Sequence, residues 1–269
     1  MLLITDVRDN SLKLVDFKTG NLIDILRHSK LSSPGCLYVT KKEEIFVYDV
    51  SNSKILIFEF KKFFLNFLRE FKVLNVSFIS DMKVNQDKNN YSLLYISSVM
   101  KNRISIWDTE NGNYMKSFKV DHPSYMEFSD EKLFVVSYTI CDETIDDNKL
   151  VRITDGSNCI FVFDKSTYEL INKIDLNNWL KPTGLYLDSF SNIVTTAFEI
   201  DNDGFISKNR FVYTIDQNGE LLHKVETYGI LRSYYIQFID KKIVASYDQS
   251  LKFIEYDWFS SFYCYVYFK

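Results

Sequence analysis

YSLLYISSVMKNRISIWDTENGNYMKSFKV, residues 91–120, reads as three short strands in a row. The apolar run Leu93 to Ser97 is followed by a polar turn. Ile104-x-Ile106 then alternates into Trp107-Asp108, and Tyr114-x-Lys116-x-Phe118 alternates again after Thr-Glu-Asn-Gly. Period-two alternation broken by turn residues is the pattern of antiparallel strands. The Asn111-Gly112 pair supplies the positive-φ positions that a tight hairpin needs.

Variants of this unit recur outward in both directions. The strand ending in Trp107-Asp108 aligns with Leu12-Lys-Leu-Val-Asp16, Ile55-Leu-Ile-Phe-Glu59 and Ile160-Phe-Val-Phe-Asp164. Looser copies are Arg210-Phe-Val-Tyr-Thr214 and Leu251-Lys-Phe-Ile-Glu255. A recurrence at roughly 40–55 residues, with several strands per unit, is the arithmetic of a β-propeller blade. Glycine returns in DFKTG, DTENG and TIDQNG, each time ahead of another alternating segment. Pro34, Pro123 and Pro182, the three prolines of the chain, each stand just before an expected strand, where no ladder donor is required.

Motifs such as ITDVRDNSLKLVDFKTGNLI and KPTGLYLDSFSNIVTTAFE resemble NHL-type repeats, and SIWDTENG is equally similar to a WD repeat. The resemblance implies a single all-β domain over residues 1–269, a six-bladed propeller of about four-stranded blades. The expected blades are 1–28, 34–73, 76–120, 122–175, 180–228 and 231–269. The first is incomplete at its N-terminus, showing only its outer three strands. Lys61 to Phe71 also fits a helical stripe, but is read as the outer strand of the second blade.

Composition agrees with such a fold. The 269 residues are 46% apolar and 16% aromatic, with 18 Tyr and 23 Phe, a surplus that suits pleated surfaces. With 8 Gly and 3 Pro, the turns must rely on Asn, Asp, Ser and Lys. A net charge of -4 argues against general nucleic-acid affinity. No run reaches the ~18–20 apolar residues of a membrane span, and the start lacks the basic n-region of a signal peptide. A cytoplasmic location is expected, without excluding a fragment of an extracellular protein, and a monomer or part of a longer chain. Cys36, Cys141, Cys159 and Cys264 lack CxxC spacing. They read as unpaired, mostly buried thiols, or alternatively as containing a Cys141–Cys159 bridge.

Two insertions fall between the expected second and third strands of their blades: Thr139 to Asn158 and Glu199 to Asn209. Asp142, Glu143, Asp146, Asp147, Arg152 and Asp155 lie in the first, and Glu199, Asp201 and Asp203 in the second. In a propeller that connection opens on the face where the links between blades run, and extra loop length on a rigid scaffold is where binding tends to reside. Three readings stand side by side: ordinary solvated loops, a dock for a basic protein or peptide, or a Ca²⁺ site around Asp201-Asn202-Asp203-Gly204. The last lacks the remaining ligands of an EF-hand, and no other cofactor is expected.

No HExxH, GxSxG or phosphate-binding loop is present, and His28, His122 and His223 are isolated. His122 reads as a turn residue before Pro123, and Trp107, Trp179 and Trp258 as filling between blades. Asp16, Glu59, Asp108, Asp164 and Glu255 read as hydrogen-bonders of blade turns. Arg69, Arg103, Arg152 and Arg210 are scattered. The leading function is a non-catalytic scaffold binding protein or peptide through loops of one face. The alternative is a metal-dependent hydrolase similar to six-bladed gluconolactonases, which implies a Glu, Asn and Asp trio in the channel that no segment here matches. A further alternative is RNA binding of the NHL type, against which the acidic insertions count.

Overall fold

The computed structural model describes residues 2–16, 19–61, 64–76, 79–86, 91–137, 141–142, 152–153, 158–176, 179–200, 206–227, 235–239, 242–247, 250–255 and 266–267. Apart from a short 3-10 turn at Val99–Lys101, every regular element is a strand.

The chain first forms a three-stranded sheet from β1 (Leu2–Asp6), β2 (Ser11–Val15) and β3 (Leu22–Arg27). Four-stranded meanders follow. One comprises β4 (Pro34–Val39), β5 (Glu44–Asp49), β6 (Lys54–Lys61) and β7 (Phe64–Lys72). The next comprises β8 (Ile79–Gln86), β9 (Ser92–Ser98), β10 (Arg103–Asp108) and β11 (Tyr114–Lys119). The fourth sheet runs β12 (Pro123–Phe128), β13 (Lys132–Ser137), β16 (Cys159–Asp164) and β17 (Leu170–Asp175). A two-stranded excursion, β14 (Cys141–Asp142) and β15 (Arg152–Ile153), interrupts it. The fifth is β18 (Trp179–Leu187), β19 (Ile193–Ile200), β20 (Ile206–Ile215) and β21 (Leu221–Thr227). The last is β22 (Tyr235–Ile239), β23 (Lys242–Tyr247), β24 (Ser250–Glu255) and β25 (Val266–Tyr267). By packing, the chain divides into two compact units, Met1–Lys119 and Val120–Lys269.

Five sheets among the described residues are therefore complete four-stranded blades, where six blades, the first of them incomplete, were expected. The N-terminal sheet stops at three because β1 is, by register, a second strand. Asp6 pairs with Ser11 across the four-residue turn 7–10, just as Asp49 pairs with Lys54 across 50–53 and Ser98 with Arg103 across 99–102. Each of these turns ends in a left-handed residue, Asn10, Ser53 or Asn102.

The segment 64–72 is a strand, so the helical stripe in it is not used. Every residue of β6 from Lys54 to Lys61 has a partner in β7. Alternation wins because the neighbouring strand offers a hydrogen bond to each backbone group that an isolated amphipathic helix would have to satisfy alone. The cores lie between sheets rather than within one. In the first unit, Phe46, Tyr48, Ile55 and Ile57 pack with Met82, Leu94, Ile96 and Trp107. Their opposite neighbours Ile45, Val47, Leu56 and Phe58 pack with Leu12, Leu14 and Leu26. A strand buried on both faces reads as continuous apolar sequence, which is why IFVY and ILIF do not alternate. In the second unit the same role falls to Phe134, Val136, Ile160 and Val162 against Leu185, Ile193 and Ile215.

Two irregularities repeat. Each of β4, β8, β12 and β18 breaks register with its neighbour early in the strand. Hydroxyl groups occupy three of these bulges: Ser97 Oγ donates to the Asp81 carbonyl (3.1 Å), Ser124 Oγ to Val136 (3.1 Å) and Thr195 Oγ1 to Gly184 (2.8 Å). They satisfy acceptors that the interrupted ladder leaves over. Pro34 and Pro123 begin their strands, but Pro182 lies inside β18, beside its register break. The second irregularity lies between third and fourth strands, where Ile23, Leu68, Met115, Ile171 and Leu222 are each the extra residue, and each is exposed.

Candidate functional site

The turns explain the recurring aspartates. Asp108 Oδ1 accepts from the Glu110 N–H (2.7 Å), and Asp16 Oδ1 from the Thr19 N–H (2.7 Å). Asp164 Oδ1 accepts from the Ser166 and Thr167 N–H groups, both at 2.8 Å, and from Ser166 Oγ at 2.7 Å. These are Asx turns, so the three aspartates are structural, as expected. The fifth copy is Asp216, not Thr214: its Oδ1 accepts from the Asn218 and Glu220 N–H groups, both at 2.8 Å. The alignment slips by two residues because β20 runs upstream of the position where the third strands of other blades begin. Glu59 pairs with Lys61 at 2.6 Å, and the turn after it, 62–63, lies outside the described residues. The side chain of Glu255 lies outside the described residues. In the Asn111-Gly112 pair only Gly112 has positive φ (71°).

Of the candidate rim residues, Asp142 and Arg152 are register partners across β14 and β15. Glu143, Asp146, Asp147, Asp155, Asp201 and Asp203 lie outside the described residues, and so does the proposed Ca²⁺ segment 201–204. Glu199 sits near the end of β19, half-buried, with Lys224 Nζ 2.6 Å from its Oε1. Lys224 in turn lies 4.2 Å from the centroid of the Phe211 ring. Burial and then the Glu199 carboxylate push the Tyr213 phenol well above its usual value. Glu199 is thus tied into its own blade by Lys224.

Register places the bases of the two insertions on one edge. Ser137 pairs with Cys159, which pairs with Asp175, so residues 138–158 emerge where β17 ends. The Leu176 N–H reinforces this by donating to the Asn158 carbonyl at 2.8 Å. Three residues later β18 begins with Trp179, the partner of Glu199. Four Cα steps cannot span more than roughly 14 Å, so the bases of both insertions stand side by side within the second unit. The same connection in the first unit is closed three times by a four-residue turn.

Cys159 is buried and is a thiol, not half of a disulfide, so the Cys141–Cys159 bridge is not formed. Cys159 sits on β16, with its register partners in the second unit's core sheet. Cys36 is likewise a thiol. His122 does occupy a turn, with φ 38° and Nδ1 2.9 Å from Asp121 Oδ1. Trp107 fills the space between two blades: it stacks on Phe71 (6.4 Å), meets Tyr114 edge-on (5.3 Å) and donates from Nε1 to Ser105 Oγ (3.0 Å). The Trp179 side chain and Trp258 lie outside the described residues, as does the Arg210 side chain.

A polar group that the repeat reading overlooked lies on the adjacent first strands β4 and β8. Asp81 and Lys83 are 4% and 8% exposed. Lys83 Nζ stands 5.7 Å from the Tyr38 ring centroid. Burial, then the Asp81 carboxylate, push the Cys36 thiol above its usual range, although the residue keeps partial exposure. Its signal in the sequence was Asp81 inside the run ISDMKV, a charge at the bulge position where β4 carries Cys36 and β12 carries Tyr125. Among the described residues no group of three or more His, Cys, Asp or Glu side chains is arranged to hold a metal ion.

No family model matches the chain, and no curated protein matches it. Solved structures do. Hydrazine synthase of Kuenenia stuttgartiensis is 12% identical over 94% of this chain and 72% of that chain, with a TM-score of 0.61. An inactive virginiamycin B lyase from Staphylococcus aureus with quinupristin is 15% identical over 98% and 79%, TM-score 0.59. A functionally unknown protein from Desulfotomaculum acetoxidans is 9% identical over 94% and 91%, TM-score 0.57. At such identities the likeness shows the fold alone: the chain is an all-β propeller.

Proposed function

We propose that the protein is a non-catalytic scaffold that binds a basic protein segment or peptide through the rim formed by the connections 138–158 and 201–205. The carrying observation is the contrast within one repeat. The first unit closes this connection with four-residue turns at 7–10, 50–53 and 99–102, whereas the second unit lengthens it twice, in adjacent blades, with acidic sequence. Asp142, Glu143, Asp146, Asp147 and Asp155 outnumber Lys149 and Arg152 in the longer insertion. Asp201 and Asp203 make the second connection acidic as well, so the sequence concentrates like charges in two connections where a cationic segment would be steered and held. Repeat segments such as KPTGLYLDSFSNIVTTAFE favour an NHL- or WD-like lineage for the scaffold.

The test is calorimetric titration with an arginine- and lysine-rich peptide at two salt concentrations. Wild type should bind with an affinity that falls as salt rises. A variant in which residues 139–157 are replaced by Val-Ser-Asn-Ser, the turn found at 50–53, should bind at least about tenfold more weakly. Equal affinity in the shortened variant, or binding indifferent to salt, would remove the proposal.

A further inference from the structure

Within the first unit, one edge of the sheets gathers cations. Third strands open and fourth strands close there, so register sets Ser11 against Arg27, Lys54 against Lys72 and Arg103 against Lys119. β3, β7 and β11 each end in a cation, whereas in the second unit β17 ends in Asp175 and β21 in Thr227. The fold therefore does not require a positive charge at this position. Two of the three pairs oppose like charges, an arrangement that costs stability.

The carboxylates of this edge are already committed. Lys13 engages Asp6, Arg27 engages Asp9 (3.3 Å), and Lys30 and Lys54 share Glu70. Asp49 is 1% exposed and accepts from Asn52 Nδ2 at 2.8 Å. Four cations are left over: Lys72, Lys101, Arg103 and Lys119 have no carboxylate partner among the described residues. Arg103 is half-buried and the other three are exposed. Exposed apolar residues accompany them, Leu74 just past Lys72 and Met100 just before Lys101 in the turn 99–102. Lys30 lies in the link after β3 and Glu70 on β7, so their ion pair (3.1 Å) joins the edges of neighbouring sheets.

We propose that this edge of the first unit docks an extended acidic segment of a partner protein. Its carboxylates meet Lys72, Lys101, Arg103 and Lys119, and its apolar side chains meet Leu74 and Met100. The unpaired cations belong to β7, β10, β11 and a turn, so a compact anion would engage only part of them. Leu74 and Met100 require apolar groups in the occupant, which a nucleic-acid backbone does not offer. A membrane extends over many Debye lengths and meets the whole chain at its net charge of -4, while a short segment meets the local field alone. Relief of the repulsion between Arg103 and Lys119 adds to the attraction.

The probe is a fluorescein-labelled peptide, Glu-Leu-Asp-Glu-Leu-Asp-Glu, titrated into the 269-residue chain by anisotropy at two salt concentrations. Saturable binding that weakens as salt rises is expected. Lys119→Glu, and separately Lys72→Glu, should weaken it at least about tenfold. Lys41→Glu makes the same charge change in the exposed turn between β4 and β5, at the other end of the strands, and should leave binding unaltered. Lys119→Glu also gives Arg103 an opposite charge across the ladder, so its Tm should equal or exceed that of wild type. The proposal is overturned if the peptide does not bind, if Lys41→Glu weakens binding as much as Lys119→Glu, or if the Tm of Lys119→Glu falls. It is also overturned if vesicles of phosphatidylserine and phosphatidylcholine bind and the peptide does not, or if the edge variants abolish a dimer rather than peptide binding. The variant with residues 139–157 shortened should bind this peptide normally, so failure of the rim reading and failure of this one are separable.

Discussion

At the scale of single residues, the left-handed positions distinguish turns that need glycine from turns that tolerate its absence. Gly112 has φ 71°, and a Cβ there would stand 2.3 Å from Phe71 Cβ. Gly219 meets Ile174 in the same way, 2.7 Å from its Cγ2, at φ 93°. Gly112→Ala should therefore destabilise by about 2 kcal/mol or more, because strain and overlap add. Glu43 has φ 63° but is solvent-exposed, so Glu43→Gly should stabilise by about 0.5–1 kcal/mol. Urea melts of the two variants check both signs. The turn aspartates set the acid limit. Ser166 Oγ and then the Thr167 and Ser166 N–H groups lower the Asp164 carboxyl from 3.8 to about 2. The Glu220 N–H is the largest cause of a lowering at Asp216. A depressed carboxyl contributes stability that is complete above its unfolded value and disappears as pH falls through the folded one. Stability should thus decline between about pH 4 and pH 2. Asp164→Asn should flatten that decline while retaining the Asx turn; an identical decline would show that Asp164 is not its source.

Elements are joined by a clamp that recurs with different chemistry. In the first unit, Arg69 on β7 donates from Nε to the Thr109 carbonyl (3.0 Å) and from both terminal nitrogens to Glu44 Oε1 (3.3 Å each). In the second, Lys132 Nζ donates to Gln217 Oε1 (2.6 Å), and Gln217 Nε2 to the Ser191 carbonyl (3.2 Å). Thr109 and Gln217 both follow the turn aspartate, and Glu44 and Lys132 both open a second strand. The joint is a position rather than a residue type, which hides it from any search for identical repeats. Arg69→Met keeps the aliphatic stem and removes the donors. It should cost about 1–2 kcal/mol, since the pair is partly exposed and screened, with Arg69→Lys intermediate. A midpoint unchanged in the methionine variant would mean the clamp contributes nothing. Bulges act at the same scale. The pairs Leu22-Ile23, Tyr114-Met115, Leu170-Ile171 and Leu221-Leu222 break simple alternation, since the second member is the extra residue of an outer strand.

For the molecule as a whole, the long connection 138–158 is surplus to the sheet that carries it, because β13 and β16 pair without interruption from Lys132 to Ser137. Closing a loop of this length rather than a four-residue one costs about 1.5 kcal/mol in chain entropy. The shortened variant should accordingly be at least as stable as wild type by thermal melting, and a fall in Tm would assign the segment a structural role. The strands, their antiparallel order and the Asx turns were legible because they depend on residues near one another in the chain, where period-two alternation and the turn chemistry of Asp16, Asp108 and Asp164 act directly. Five complete blades instead of six, the slip at Asp216, the buried Asp81 and Lys83, and the tie from Glu199 to Lys224 were not. By itself the sequence determined an all-β repeat with lengthened acidic connections, since local hydrogen bonding and side-chain alternation specify strands and turns. Only the tertiary structure decided which sheets share a core and which charges are already engaged, because packing partners and burial are set by residues far apart in sequence.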